Sequence, residues 1–187
     1  YTQENYSRLG YVAEGVTTYM GDLMLYRSRV FNWEQFAKTQ NQNLQRHLEN
    51  EGRHNLSVAD SSFDTWLDGY ELGIPNRKTS IYTEGALCML MIDSLIISYS
   101  EGKHTLHDVM KFLYTDYALK GKGYAEDDFQ TLCVKFGGVE VEQVFSQHIY
   151  STEDYLSSLK AILPKIGLEL SYLENPSHTA RLFGFLT

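Results

Sequence analysis

From Tyr82 to Tyr99 the chain reads as a helix that is apolar nearly all round, with Ala86, Leu87, Met89, Leu90, Met91, Ile92, Leu95, Ile96 and Ile97 covering its faces. A helix without a polar face belongs at the centre of a domain, packed on all sides by other elements. Its longest apolar run, Ala86 to Ile97, is too short to span a bilayer and is broken by Asp93 and Ser94, so no transmembrane helix and no membrane partner are predicted. The packing must come from the rest of the chain. With 187 residues, 43% hydrophobic and 21% charged, there is enough for one globular domain with a sizeable core, or one domain plus the stub of another.

The flanking sequence supplies mostly helices. Val16, Tyr19, Met20, Leu23 and Val30 fall at helical spacing and predict a helix from Val12 to Arg29. Asn32-Trp33-Glu34-Gln35 has the form of a capping box and predicts a second helix to about Leu48. Between Gly52 and Lys78 the pattern loosens, with turn signals at Asp60-Ser61-Ser62, Asp68-Gly69 and Pro75-Asn76 around a short helical piece from Phe63 to Leu67. Long irregular segments in compact domains tend to carry function.

Thr105-Leu106-His107-Asp108 is a second capping box, opening a helix to about Leu119 that Gly121 and Gly123 end. Ala125 to Phe136, Glu140 to Ile149 and Asp154 to Leu163 read as further helices, and Ile166 to Leu173 alternates like a strand. The expected fold is therefore mostly α, with a short β element at its C-terminal end. No internal repeat or low-complexity tract interrupts it.

The net charge of -8 is scattered, with no basic stripe, which argues against nucleic acid as a partner. The N-terminus carries neither a signal pattern nor an initiator Met, so the chain is expected to be a piece of a longer protein. Cys88 and Cys133 lie within helical patterns and show no C-x-x-C spacing; both are read as buried thiols.

One stretch points to chemistry. Gly10 to Leu23 places the Glu14 carboxylate directly before Gly15 at the start of a helix, and Glu14-Gly15-Val16-Thr17-Thr18-Tyr19 resembles the E-G-x-T-x-Y signature of the glycyl aminopeptidase-like metallopeptidases, metallopeptidase family sixty-one. Tyr82-Thr83-Glu84-Gly85-Ala86 resembles the Y-x-K-G-A element of gluzincin aminopeptidases. Gly21 to Arg27 is similar to the family's continuation of the ligand helix, and Ser57 to Trp66 to its S-x-x-x-x-S-F-D-x-W stretch. Leu106 to Met110 and Gly123 to Phe129 resemble two later helix starts, so the likeness runs over most of the chain. Three positions depart from it: Glu84 stands where Lys is usual, Met20 where a second Tyr is frequent, and Ala125 where a capping Thr or Ser is common.

The resemblance implies the C-terminal helical half of a thermolysin-like (gluzincin) catalytic domain over residues 1–172. Residues 173–187 would then be a linker, with Leu182 to Leu186 similar to the first strand of a PDZ-like domain downstream. It implies that Glu14 is the third protein ligand of a catalytic zinc and that Tyr82 donates a hydrogen bond to the oxyanion. The reaction implied is removal of an N-terminal residue, Gly or Ala, from a peptide substrate. Such a site also needs H-E-x-x-H. None of the six histidines, His47, His54, His104, His107, His148 and His178, forms that pair. The N-terminal half of the same catalytic domain would have to supply it, and this chain alone is expected to be zinc-poor and inactive.

Other polar residues keep two readings. Thr17 and Tyr19 either orient the Glu14 carboxylate or pack, and Arg53, Asp60, Ser61 and Asp64 either border the substrate cleft or hold the irregular loop. His104 and His107 are read as a solvated helix start rather than a metal pair. The rival to the peptidase is a non-catalytic helical interaction or scaffold domain, supported by Glu84 and the missing His pair. A hydrolase using Asp60 and Asp64 has less support, since paired acids on a loop are usually solvated.

Overall fold

The computed structural model describes residues 2–3, 6–68 and 74–173, and these residues form eight α-helices and no strand. They are α1 (Gly10–Arg27), α2 (Trp33–Glu49), α3 (Val58–Asp68), α4 (Thr83–Tyr99), α5 (Leu106–Asp116), α6 (Glu126–Gly137), α7 (Glu140–Val144) and α8 (Tyr155–Ile162). Every residue of α4 from Thr83 to Ile96 is buried, and α1, α2, α5, α6, α7 and α8 all pack against it. The apolar helix is thus the axis of the domain, as its sequence requires. Among the described residues no helix is long and apolar enough to cross a membrane.

Asp93 and Ser94, the two polar breaks in α4, are both satisfied inside the core. Asp93 Oδ2 accepts from the Tyr19 hydroxyl at 2.7 Å and Oδ1 from the Leu106 N–H at 2.6 Å, so one buried carboxylate ties α1 and the N-terminus of α5 to the axis. A negative group at a helix start also meets the positive end of its dipole. Ser94 donates to the Leu90 carbonyl one turn back, at 2.7 Å.

The boundaries follow from local chemistry. The Asn32–Gln35 capping box forms with both bonds at 2.9 Å. In the second box Thr105 Oγ1 accepts from the His107 N–H at 3.3 Å, and Asp108 Oδ2 accepts from the Thr105 N–H at 2.9 Å. At α6 only half a box exists: Ala125 has no side-chain oxygen to offer, while Asp128 Oδ2 accepts from its N–H at 2.7 Å.

Three expectations change. α3 starts at Val58 rather than near Phe63, because Ser57 Oγ accepts from the Asp60 N–H at 3.0 Å while Val58 and Ala59 are buried. The helix expected from Glu140 to Ile149 widens into a π-turn at Phe145–Ile149, with Phe145, His148 and Ile149 all buried. The strand expected from Ile166 to Leu173 does not form. Leu163–Ile166 is a 3-10 turn, residues 168–173 have no regular structure, and no partner strand exists among the described residues to satisfy their backbone. The expected strand at Leu182 to Leu186 lies outside the described residues.

Candidate active site

The two motifs meet through their glycines. A Cβ on Gly15 would lie 2.6 Å from the Gly85 Cα, and one on Gly85 would lie 2.8 Å from the Gly15 Cα, so α1 and α4 touch backbone to backbone. Only residues without a side chain permit this approach. The helices run side by side in the same direction: Gly10 faces Ile81, Gly15 faces Gly85, and Tyr19 reaches Asp93. Tyr82 caps the N-terminal end of α4 and precedes Gly85 by three residues, while Glu14 adjoins Gly15. Two segments far apart in sequence are thereby brought side by side, with the Cα atoms of Glu14 and Tyr82 within about 13 Å of each other.

Glu14 is half-buried, and among the described residues its carboxylate makes no hydrogen bond or ion pair. Tyr82 is 36% exposed, with its ring at the surface end of an otherwise buried helix. Among the described residues no group of three or more His, Cys, Asp and Glu side chains is arranged to hold a metal.

Glu84, beside Tyr82 and Gly85, points into the protein. Its Oε2 lies 2.7 Å from His47 Nδ1, and both side chains are 1% exposed. Tyr155 stacks on the His47 ring at 4.5 Å between centroids. Burial pushes the Tyr155 phenol well above its ordinary pKa, with Cys88 and Glu84 adding to the shift. Among the described residues Glu84 Oε1 and His47 Nε2 have no hydrogen-bond partner, and both residues line a cavity of about 10 Å³, near the least space that holds one water. The Glu84 carboxylate, which stands where the resembled Y-x-K-G-A element has Lys, is therefore matched from α2.

His47 escaped the sequence reading. Its signal was the spacing of Phe36, Gln40, Asn43 and His47, all buried, which puts a largely polar stripe on the core-facing side of α2.

The residues with two readings divide. Thr17 Oγ1 donates to the Ala13 and Glu14 carbonyls at 2.9 and 3.1 Å, and Tyr19 is committed to Asp93; neither bonds the Glu14 carboxylate. Arg53 donates to the His47 and Leu48 carbonyls at 3.1 and 2.7 Å, capping the C-terminus of α2. Ser61 Oγ accepts from the Thr79 N–H at 3.1 Å and pins the approach to α4. Asp60 pairs with Arg8 at 2.6 Å and Asp64 with Arg77 at 2.5 Å, and all four residues line an open cavity of about 800 Å³. His104 and His107 are both exposed at the start of α5.

Comparison with known proteins agrees with the motifs. Residues 1–88 match the sequence model of the family described as M61 glycyl aminopeptidase. The fold is similar to the crystal structure of an aminopeptidase N family protein from Idiomarina loihiensis, with a TM-score of 0.79 and 28% identity over 87% of this chain. The match spans 28% of that chain's length. No curated protein matches the sequence.

Proposed function

We propose that this chain, which carries the M61 glycyl aminopeptidase pattern over residues 1–88, is the C-terminal helical part of a zinc-dependent aminopeptidase domain. The observation that carries the reading is the Gly15–Gly85 contact, which sets the Glu14 turn of α1 against the Tyr82 turn of α4. In the longer protein Glu14 is the third protein ligand of the metal, and upstream sequence contributes H-E-x-x-H. The unengaged, half-buried carboxylate of Glu14 suits that role. Bound zinc in such a centre supplies Lewis-acid polarisation of the scissile carbonyl and an activated water.

What this chain's own residues do follows from their chemistry. Glu14 offers a hard oxygen donor from a helix held rigidly against the domain axis. The Tyr82 phenol O–H donates a hydrogen bond to the oxygen on which negative charge develops. The product expected from the resemblance is a free N-terminal Gly or Ala. The substrate cleft lies between this helical half and the N-terminal half of the domain, and a PDZ-like domain follows downstream.

The test is zinc content and hydrolysis of glycyl- and alanyl-anilides by the full-length gene product. About one zinc per molecule with turnover is expected. Glu14→Ala should lose the metal, while Tyr82→Phe should keep it and lose roughly 10²–10³ in kcat, the usual effect of removing one oxyanion donor. Equal turnover by Tyr82→Phe and the unsubstituted enzyme would remove Tyr82 from the mechanism. Neither zinc nor turnover in the full-length protein would leave the scaffold reading in its place.

A further inference from the structure

The 800 Å³ cavity lies between the chain before α1, the first turns of α3 and the 74–77 segment. Its size falls within the range of small-ligand sites, about 300–1,000 Å³. Phe63 and Ile74 line it with their rings and methyls 40% and 69% exposed, which is apolar surface turned toward open space.

The four charged side chains in its wall are not equally available. Asp60 has both oxygens engaged, Oδ1 with Arg8 and Oδ2 with the Ser57 hydroxyl at 2.8 Å. Asp64 is 9% exposed at its side chain; Oδ1 holds Arg77, and Oδ2 is buried with no hydrogen-bond partner. The two guanidinium groups, by contrast, are 38% and 46% exposed and each holds its carboxylate through one nitrogen. The exposed remainder of each planar fork, for Arg8 without its buried Nε, can meet a second oxyanion.

Oxyanion-binding forks and an apolar wall correspond to two groups of a C-terminal amino acid: its carboxylate and its apolar side chain. We propose that the cavity binds the C-terminal residue of a short peptide, with the carboxylate on Arg77 and Arg8 and an apolar side chain against Phe63 and Ile74. Taking that peptide to be the substrate rests on the aminopeptidase reading; the binding itself does not.

The cavity lies at the same end of the domain as the candidate site. Gly10, two residues after Arg8, packs on Ser62 and on Ile81, the neighbour of Tyr82. From Arg8 to Glu14 is about 9 Å along a mostly helical path, and an extended peptide covers about 3.3–3.6 Å per residue. Tripeptides therefore span the distance, and long chains do not place their C-terminus here.

The experiment compares Gly-Gly-Leu with its C-terminal amide by titration calorimetry against the zinc-depleted full-length protein, where hydrolysis does not interfere. The free acid should bind at least tenfold more tightly, and Arg77→Gln should abolish that difference. Equal affinities, or a preference that survives Arg77→Gln, would overturn the subsite. If Arg77→Gln does not fold, the acid and amide comparison in the unsubstituted protein decides alone. A carboxylate-dependent affinity without turnover in the zinc-loaded protein would sink the peptidase reading and keep the subsite. Turnover indifferent to amidation, with equal binding of the two peptides, would do the reverse.

Discussion

Gly15 and Gly85 stand in backbone contact, each occupying the space a methyl group on the other would need, with 2.6 Å between a Gly15 Cβ and the Gly85 Cα. Alanine at Gly15 therefore has to push backbone, since no flexible side chain is there to move. Gly15→Ala should destabilise the fold by about 3 kcal/mol, the upper part of the usual range for overpacking. Gly21, on the same helix, would meet nothing within 4 Å. Gly21→Ala should raise stability by about 0.4–1 kcal/mol through the unfolded chain. Urea unfolding of the two variants separates the effects, and similar midpoints would show that the helices are not in contact.

The His47–Glu84 pair makes a second prediction. Both groups are sealed from solvent, so removing one partner strands the other. His47→Leu alone, or Glu84→Lys, which puts there the Lys of the Y-x-K-G-A element that the segment resembles, should lower stability by about 3–5 kcal/mol. His47→Leu combined with Glu84→Leu should recover most of the loss, because no buried polar group remains. A double variant as unstable as the sum of the singles would contradict this pairing.

Much of this architecture was legible in the sequence because it rests on strong local signals. The all-round apolar pattern of α4, the Asn32 and Thr105 boxes and the glycine breaks each act within a few residues. The start of α3 was hidden because a capping Ser57 looks like any loop serine until Val58 and Ala59 are seen buried. The strand-like alternation after Ile166 failed because alternation describes which faces could be buried, and a strand also needs a neighbour. Glu14 and Tyr82 could be singled out from their motifs, but His47 could not. Its partner is 37 residues away, and the sequence marks Glu84 only as a departure from Lys, not as one half of a buried pair.

Stability should depend on pH through His148. Its ring is buried, with Nε2 at 2.7 Å from Ser158 Oγ and Nδ1 at 3.3 Å from the Glu153 carbonyl. Burial lowers its pKa below the ordinary 6.5, an effect that the Glu153 backbone bond and the charges of Glu153 and Asp154 oppose and that His47 reinforces. The unfolded chain therefore binds the proton more readily than the folded one. The contribution is complete above about pH 6.5 and is lost as pH falls toward and through the lowered folded value. Thermal unfolding between pH 7.5 and 5 should show a falling Tm that is shallower in His148→Gln; parallel curves would assign the slope to other groups.

The thiols supply a test of how well the axis is sealed. Cys88, on α4, and Cys133, on α6, are both free and 0% exposed. Burial pushes the Cys88 thiol from the ordinary 9.0 up to about 12, a shift its contact with the Tyr155 hydroxyl only moderates, and it pushes Cys133 up as well. At pH 8 an exposed thiol of ordinary pKa is about one-tenth thiolate, whereas one at about 12 is about one part in ten thousand. Attack on a disulfide reagent requires thiolate and access together, and the folded protein denies both. Neither cysteine should react with such a reagent at pH 8 until denaturant unfolds the chain, whereupon both should react at the rate of free cysteine. Labelling of Cys88 in the native protein within seconds would mean that α4 opens locally, and with it the Gly15–Gly85 contact that holds α1 against α4.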